Sequence, residues 1–162
     1  MTRKDEIFPP FEETPLKLIA MDADDLNVIS ALLQDAVFVV KDMTYSETRR
    51  EMALLLNRFR WELVSDHDAD GQRPERVRTV LLIQDIMTLE SNLPSRAVTA
   101  TPFSILTIEF TPTGDGSGFL HIKLAGHWDI KAGIECINLS LTDVSVPYDA
   151  PSGRIPGHRS RT

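Results

Sequence analysis

The chain has 162 residues, the length of one domain, with 42% apolar and 25% charged side chains, a balance that excludes disordered, collagenous and membrane-spanning classes. A formal charge of −7 repels polyphosphate partners unless a local basic patch offsets it. The single cysteine, Cys136, has no intrachain disulfide partner, no opening segment has the pattern of an export signal, and no apolar run approaches the ~20 residues of a membrane span, so a cytoplasmic protein is expected.

Residues 1–15, MTRKDEIFPPFEETP, mix charge with Pro9, Pro10 and Pro15 and predict a flexible arm from which Phe8 and Phe11 could dock on the body. Leu16–Met21 reads as a short apolar strand. It runs into Asp22, a good helix N-cap, followed by acids through the first turn. Leu26, Ile29 and Leu33 then share one face at helical spacing, which predicts a helix from about Ala23 to Gln34.

The β-branched and aromatic run AVFVVKDMTY and the run EMALLLNRFRWELV, joined by SETRR, read as a β-hairpin. Along the second strand Met52, Leu54, Leu56, Arg58 and Arg60 alternate with Ala53, Leu55, Asn57, Phe59 and Trp61. The alternation into arginine predicts that this face emerges into solvent toward Glu62, with Trp61 packed beneath the helix on the other. Asp66 to Glu75 reads as a polar loop, VRTVLLIQDIMTLES as one further strand, and the prolines at 94 and 102 as breaks around a second loop. FSILTIEFTP and GFLHIKLAG form the clearest hairpin, turned at TGDGSG. From Trp128 to Val146 the apolar phase shifts, which fits a strand with a bulge near Cys136; a helix carrying Ile134, Ile137 and Leu141 is the lesser reading. The stretch from Pro147, PYDAPSGRIPGHRSRT, has the composition of a disordered tail.

The elements sum to a single α+β domain over residues 16–146, between an arm at 1–15 and a tail at 147–162. One main N-terminal helix is expected to pack on a curved, mostly antiparallel sheet of about six to seven strands.

The segments LKLIAMDADDL, LQDAV, KDMTYSETRRE and LLLNRFRWE resemble a family of uncharacterised, mainly alphaproteobacterial proteins that share a domain of unknown function. The likeness covers about residues 16–146, and its strongest signatures are Asn57-Arg58-Phe59 and Trp61-Glu62. The resemblance implies a bacterial origin and a single-domain architecture, and it transfers no activity, cofactor or site residue.

Among the chemistry-bearing residues, Asp66, Asp68, Asp70 and Gly71 match the first half of a calcium loop, but Pro74 and Val77 stand where its later ligands should be. No cofactor or metal is expected. His121, His127 and Asp129 carry zinc-ligand chemistry within nine residues, yet they lack paired ligand spacing. Cys136 would be a nucleophile only beside a histidine such as His121, and in an isoleucine-rich strand it reads as a small packing residue. These four form an alternative pocket set, for a small enzyme or ligand-binding protein with its pocket between helix and sheet. Residues 49–78 hold seven arginines against six acids, too mixed for a nucleic-acid footprint, so nucleic acid is disfavoured as a partner. Arg49, Arg50, Arg58, Arg60 and Glu62 are therefore the candidate interaction surface, because arginine forks onto carboxylates and is enriched at binding hot spots. The favoured function is a non-catalytic module that contacts another protein or a second copy of itself.

Overall fold

The computed structural model describes residues 15–61, 75–94, 100–145 and 148–149. The expected arm up to residue 14, Glu62, most of the acidic calcium-like loop and most of the expected tail lie outside the described residues; Tyr148–Asp149, expected within that tail, are described and form a short strand opposite Glu75 and Arg76. In chain order the elements are β1 (Lys17–Ala20), α1 (Ala23–Leu32), β2 (Val37–Val39), a 3₁₀ turn (Val40–Asp42), β3 (Met43–Ser46), β4 (Glu51–Phe59), β5 (Glu75–Ile83) and β6 (Ile86–Ser91). They continue with β7 (Pro102–Gly114), β8 (Ser117–Leu124), β9 (Trp128–Ile134), β10 (Leu139–Asp143) and β11 (Tyr148–Asp149).

The N-terminal helix forms where the sequence predicts it. The Asp22 carboxylate accepts a 2.8 Å hydrogen bond from the Asp25 amide, which satisfies one of the orphan donors of the first turn. Leu26, Ile29 and Leu33 are all but completely buried, so the apolar stripe faces the core.

The strands join in the order β1-β10-β5-β4-β2-β7-β8-β9-β6, with β3 also on β4 and β11 also on β5, and every described ladder is antiparallel. The sheet is larger than the six to seven strands expected and, in place of a strong curve, runs open between the edges β1 and β6. Three apolar runs that read as single strands are each two. The run after residue 75 breaks at Gln84 and Asp85, where Asp85 takes a φ of 60°. The run after Trp128 breaks at Glu135–Asn138, so the phase shift there marks a change of position in the sheet and not a bulge or a helix. The run from Val37 breaks at the 3₁₀ turn, and both of its halves pair with β4.

The hairpin between β7 and β8 closes on Asp115 and Gly116, whose φ values of 53° and 84° suit a tight two-residue turn. One core gathers α1 and the inner side chains of the whole sheet, from Ala20 and Leu139 through Leu54, Leu81 and Ile105 to Ile122, Ile130 and Ile134. Among the described residues no helix is long and apolar enough to cross a membrane.

Candidate functional site

The arginines expected on a solvated strand face are instead directed into the protein. Met52, Leu54, Leu56 and Arg58 share the buried side of β4, and Arg58 is 0% exposed. The opposite side carries Leu55, Phe59 and Trp61, so the pattern of β4 alone does not choose between the two, and the side that turned inward took with it Arg58. It is neutralised there by Asp143 of β10, with Nε to Oδ1 at 3.1 Å and Nη2 to Oδ2 at 3.0 Å. Arg60 is also buried and holds Glu75 at 2.8 Å. Trp61 donates to the Gln34 carbonyl just past α1, which ties the end of β4 to the helix. Of the remaining set, Arg50 bonds Glu135 at 3.1 Å and the Ile86 carbonyl, while Arg49 projects into solvent with Glu51 at 3.7 Å.

The alternative pocket set is divided. His121 and Asp129 meet at 2.8 Å across β8 and β9, and both line, with His127, Lys123, Leu106 and Trp128, a hollow of 380 Å³. None of its lining residues comes from α1, so the hollow is not the expected pocket between helix and sheet. Cys136 lies past the opposite end of β9. Its thiol sits 3.4 Å from Asp85, which also accepts a 2.9 Å bond from Asn138. Those two bonds, helped by the Arg50 charge, hold the Asp85 carboxyl below its ordinary value. Partial burial, reinforced by the Asp85 and Glu135 carboxylates, pushes the Cys136 thiol up, the opposite of what a nucleophile requires. Among the described residues no group of three or more His, Cys, Asp and Glu side chains is arranged to hold a metal ion.

The two halves of the sheet differ on their outer side. On β7, β8 and β9 that side is charged and internally paired: Lys123 meets Glu109 at 3.2 Å, His121 meets Asp129, and Lys131 lies over the Phe119 ring at 4.4 Å. On β5 and β4 it is apolar at its centre, while β10 beside them contributes Ser140 and Thr142. Leu55 stands opposite Val80, and Ala53 opposite Leu82, with Ile19 at the edge 58% exposed. These side chains lie on the strand faces opposite the core, and the helix packs elsewhere, on β1 and β7. An antiparallel sheet with one face in water usually places polar residues there, so an apolar row is a departure that asks for cover.

A second hollow, of 260 Å³, opens beside this row. Between Val37, opposite Asn57, and Met43, opposite Leu54, the 3₁₀ turn lifts away from β4, leaving Leu55 and Leu56 without strand partners on that side. Lys41, Asp42 and Arg78 stand around the opening. Sequence reasoning missed these residues although their signal was present, since β4 and β5 are apolar on both faces at their centres.

A family model for proteins of unknown function, DUF2948, matches residues 16–158. The chain belongs to that family. No curated protein and no solved structure matches it. The DUF2948 match spans α1 and all of the described strands, so the apolar outer row, the buried Arg58 pair and the histidine hollow all fall within the family's domain.

Proposed function

We propose that the protein is a non-catalytic, cytoplasmic interaction or self-association module whose contact surface is the outer face of β1, β10, β5, β4 and β2. The reading is carried by the apolar outer row of Leu55, Val80 and Leu82, which stands on rigid, hydrogen-bonded central strands and faces away from the core. A lone cysteine, which has no intrachain disulfide partner, agrees with a reducing compartment. Arg78, Lys17 and Lys41, which are exposed around the apolar row, supply the cations of this surface.

Leu55→Asp and Leu82→Asp test the reading through thermal unfolding. A contact face tolerates each substitution with a loss below about 1 kcal/mol, whereas a face covered by the chain itself loses about 2–5 kcal/mol. Losses of the second size would remove the surface from consideration.

A second reading rests on the His121–Asp129 pair, because an imidazole held by a carboxylate in a hollow is able to relay a proton or orient a small ligand. Small-molecule uptake, followed by native mass spectrometry and abolished by His121→Ala, would favour it over the interaction module.

A further inference from the structure

We infer that the occupant of the outer apolar face is a second copy of the same chain, docked face to face about a two-fold axis that runs across the strands; the inference rests on the reading of that face as a contact surface. Along the outer side of β4 and β5 the residues fall into successive rows. Arg78 stands with Asn57, then Val80 with Leu55, then Leu82 with Ala53, and Glu51 follows on the same face of β4. The face is therefore cationic at one end, apolar in the middle and anionic at the other.

A two-fold axis between the two apolar rows lays Val80 and Leu55 of one copy over Leu82 and Ala53 of the other. The same rotation brings Arg78 of each copy over Glu51 of its partner, twice, because a two-fold contact repeats every pair. Glu51 is held only loosely within its own chain, with Arg49 at 3.7 Å, so it is available for a closer cation. Lateral fit is also good, since β4 and β5 are adjacent strands and an arginine side chain spans the ~4.8 Å between them. A shift of the axis by one row breaks both the apolar and the charged matches, so the charges fix the register.

The five strands β1, β10, β5, β4 and β2 have 4, 5, 9, 9 and 3 residues, so the face measures about 24 Å across and on average about 20 Å along the strands, or about 480 Å² per copy, the size of a weak, concentration-dependent contact. Sheets packed in this way stand ~10 Å apart and cross at about 30°, which leaves the edge residues Lys17 and Ile19 at the rim. On the outer side of the other half, Leu106 and Phe119 are exposed among charges already paired within the chain, Lys123 with Glu109 and His121 with Asp129.

Sedimentation equilibrium of the full chain over a wide concentration range tests the inference. A monomer–dimer equilibrium is expected, and Glu51→Arg or Arg78→Glu alone weakens it about tenfold or more by setting like charges opposite each other twice. The double variant Glu51→Arg with Arg78→Glu restores the association. A wild-type chain that stays monomeric at every concentration overturns the inference, whatever the variants do. Single variants that weaken the dimer without rescue in the double variant overturn the register. If the chain is monomeric while Leu82→Asp folds with unchanged stability, the face remains a contact surface and its occupant is a different protein. If Leu82→Asp unfolds, the contact-surface reading fails as well.

Discussion

Arg58 and Asp143 lie 85 residues apart in the chain and meet in a two-pronged ion pair whose side chains are 0% and 8% exposed. Asp143 also accepts the Leu16 amide at 3.1 Å, so this one carboxylate joins β4, β10 and the entry to β1. Removing Asp143 strips both bonds of the pair from the buried guanidinium, which costs far more than the pair itself contributes. Asp143→Ala is expected to destabilise the protein by about 3–5 kcal/mol in urea unfolding. Arg58→Met combined with Asp143→Leu is expected to recover most of that loss, and a double variant no better than the single would refute the account.

Gly118 is required by packing. A Cβ at this position would meet the Thr111 carbonyl oxygen and the Phe110 ring across the β7–β8 ladder. A backbone oxygen in a hydrogen-bonded hairpin has little room to move, so Gly118→Ala is expected to cost about 2 kcal/mol through strain. Gly116→Ala, which has open space around it, suffers only from its positive φ and is expected to cost less, about 1 kcal/mol. Equal losses for the two would contradict this ranking, with thermal unfolding as the measurement.

The acid limb of the stability profile carries a signature of Asp85. Its carboxyl is held below the ordinary value by the Asn138 and Cys136 hydrogen bonds and the Arg50 charge, so the folded state binds a proton less readily than the unfolded chain. The resulting stabilisation is present above the unfolded value of about 4 and is lost as pH falls through the lower folded value. Glu109 behaves in the same sense through its hydrogen bonds with Lys123 and Thr107. Asp85→Asn with Glu109→Gln is therefore expected to flatten the loss of stability below about pH 4, and an unchanged slope would contradict the assignment.

Cys136 is exposed yet predicted to be slow. Burial and the nearby carboxylates of Asp85 and Glu135 keep the thiol protonated above its ordinary range. Alkylation at neutral pH should run slower than for cysteine in a flexible peptide, and Asp85→Asn should accelerate it by removing the largest neighbouring negative charge. Insensitivity to that substitution would place the cause elsewhere. By the same linkage the unfolded state loses the thiol proton first, so this group weakens stability as pH rises above its ordinary value.

Local chemistry made part of this protein legible from its sequence. The Asp22 cap, the stripe of Leu26, Ile29 and Leu33, and the Asp115–Gly116 turn depend on neighbours within a few residues, and each forms where the sequence predicts it. The alternation along β4 was equally readable, and so were the two residue sets on its opposite sides. Which set faces inward was decided only by the tertiary structure. Arg58 could be buried because Asp143, supplied by a distant strand, cancels its charge, and no periodicity within β4 carries that information. Residues Gln84–Asp85 and Glu135–Asn138 break runs that look continuous because the chain there changes its place in the sheet, an event set by pairing between remote strands. The apolar outer row follows the same rule. Leu55, Val80 and Leu82 read as core in any one strand, and only the assembled sheet turns them to the side away from the core.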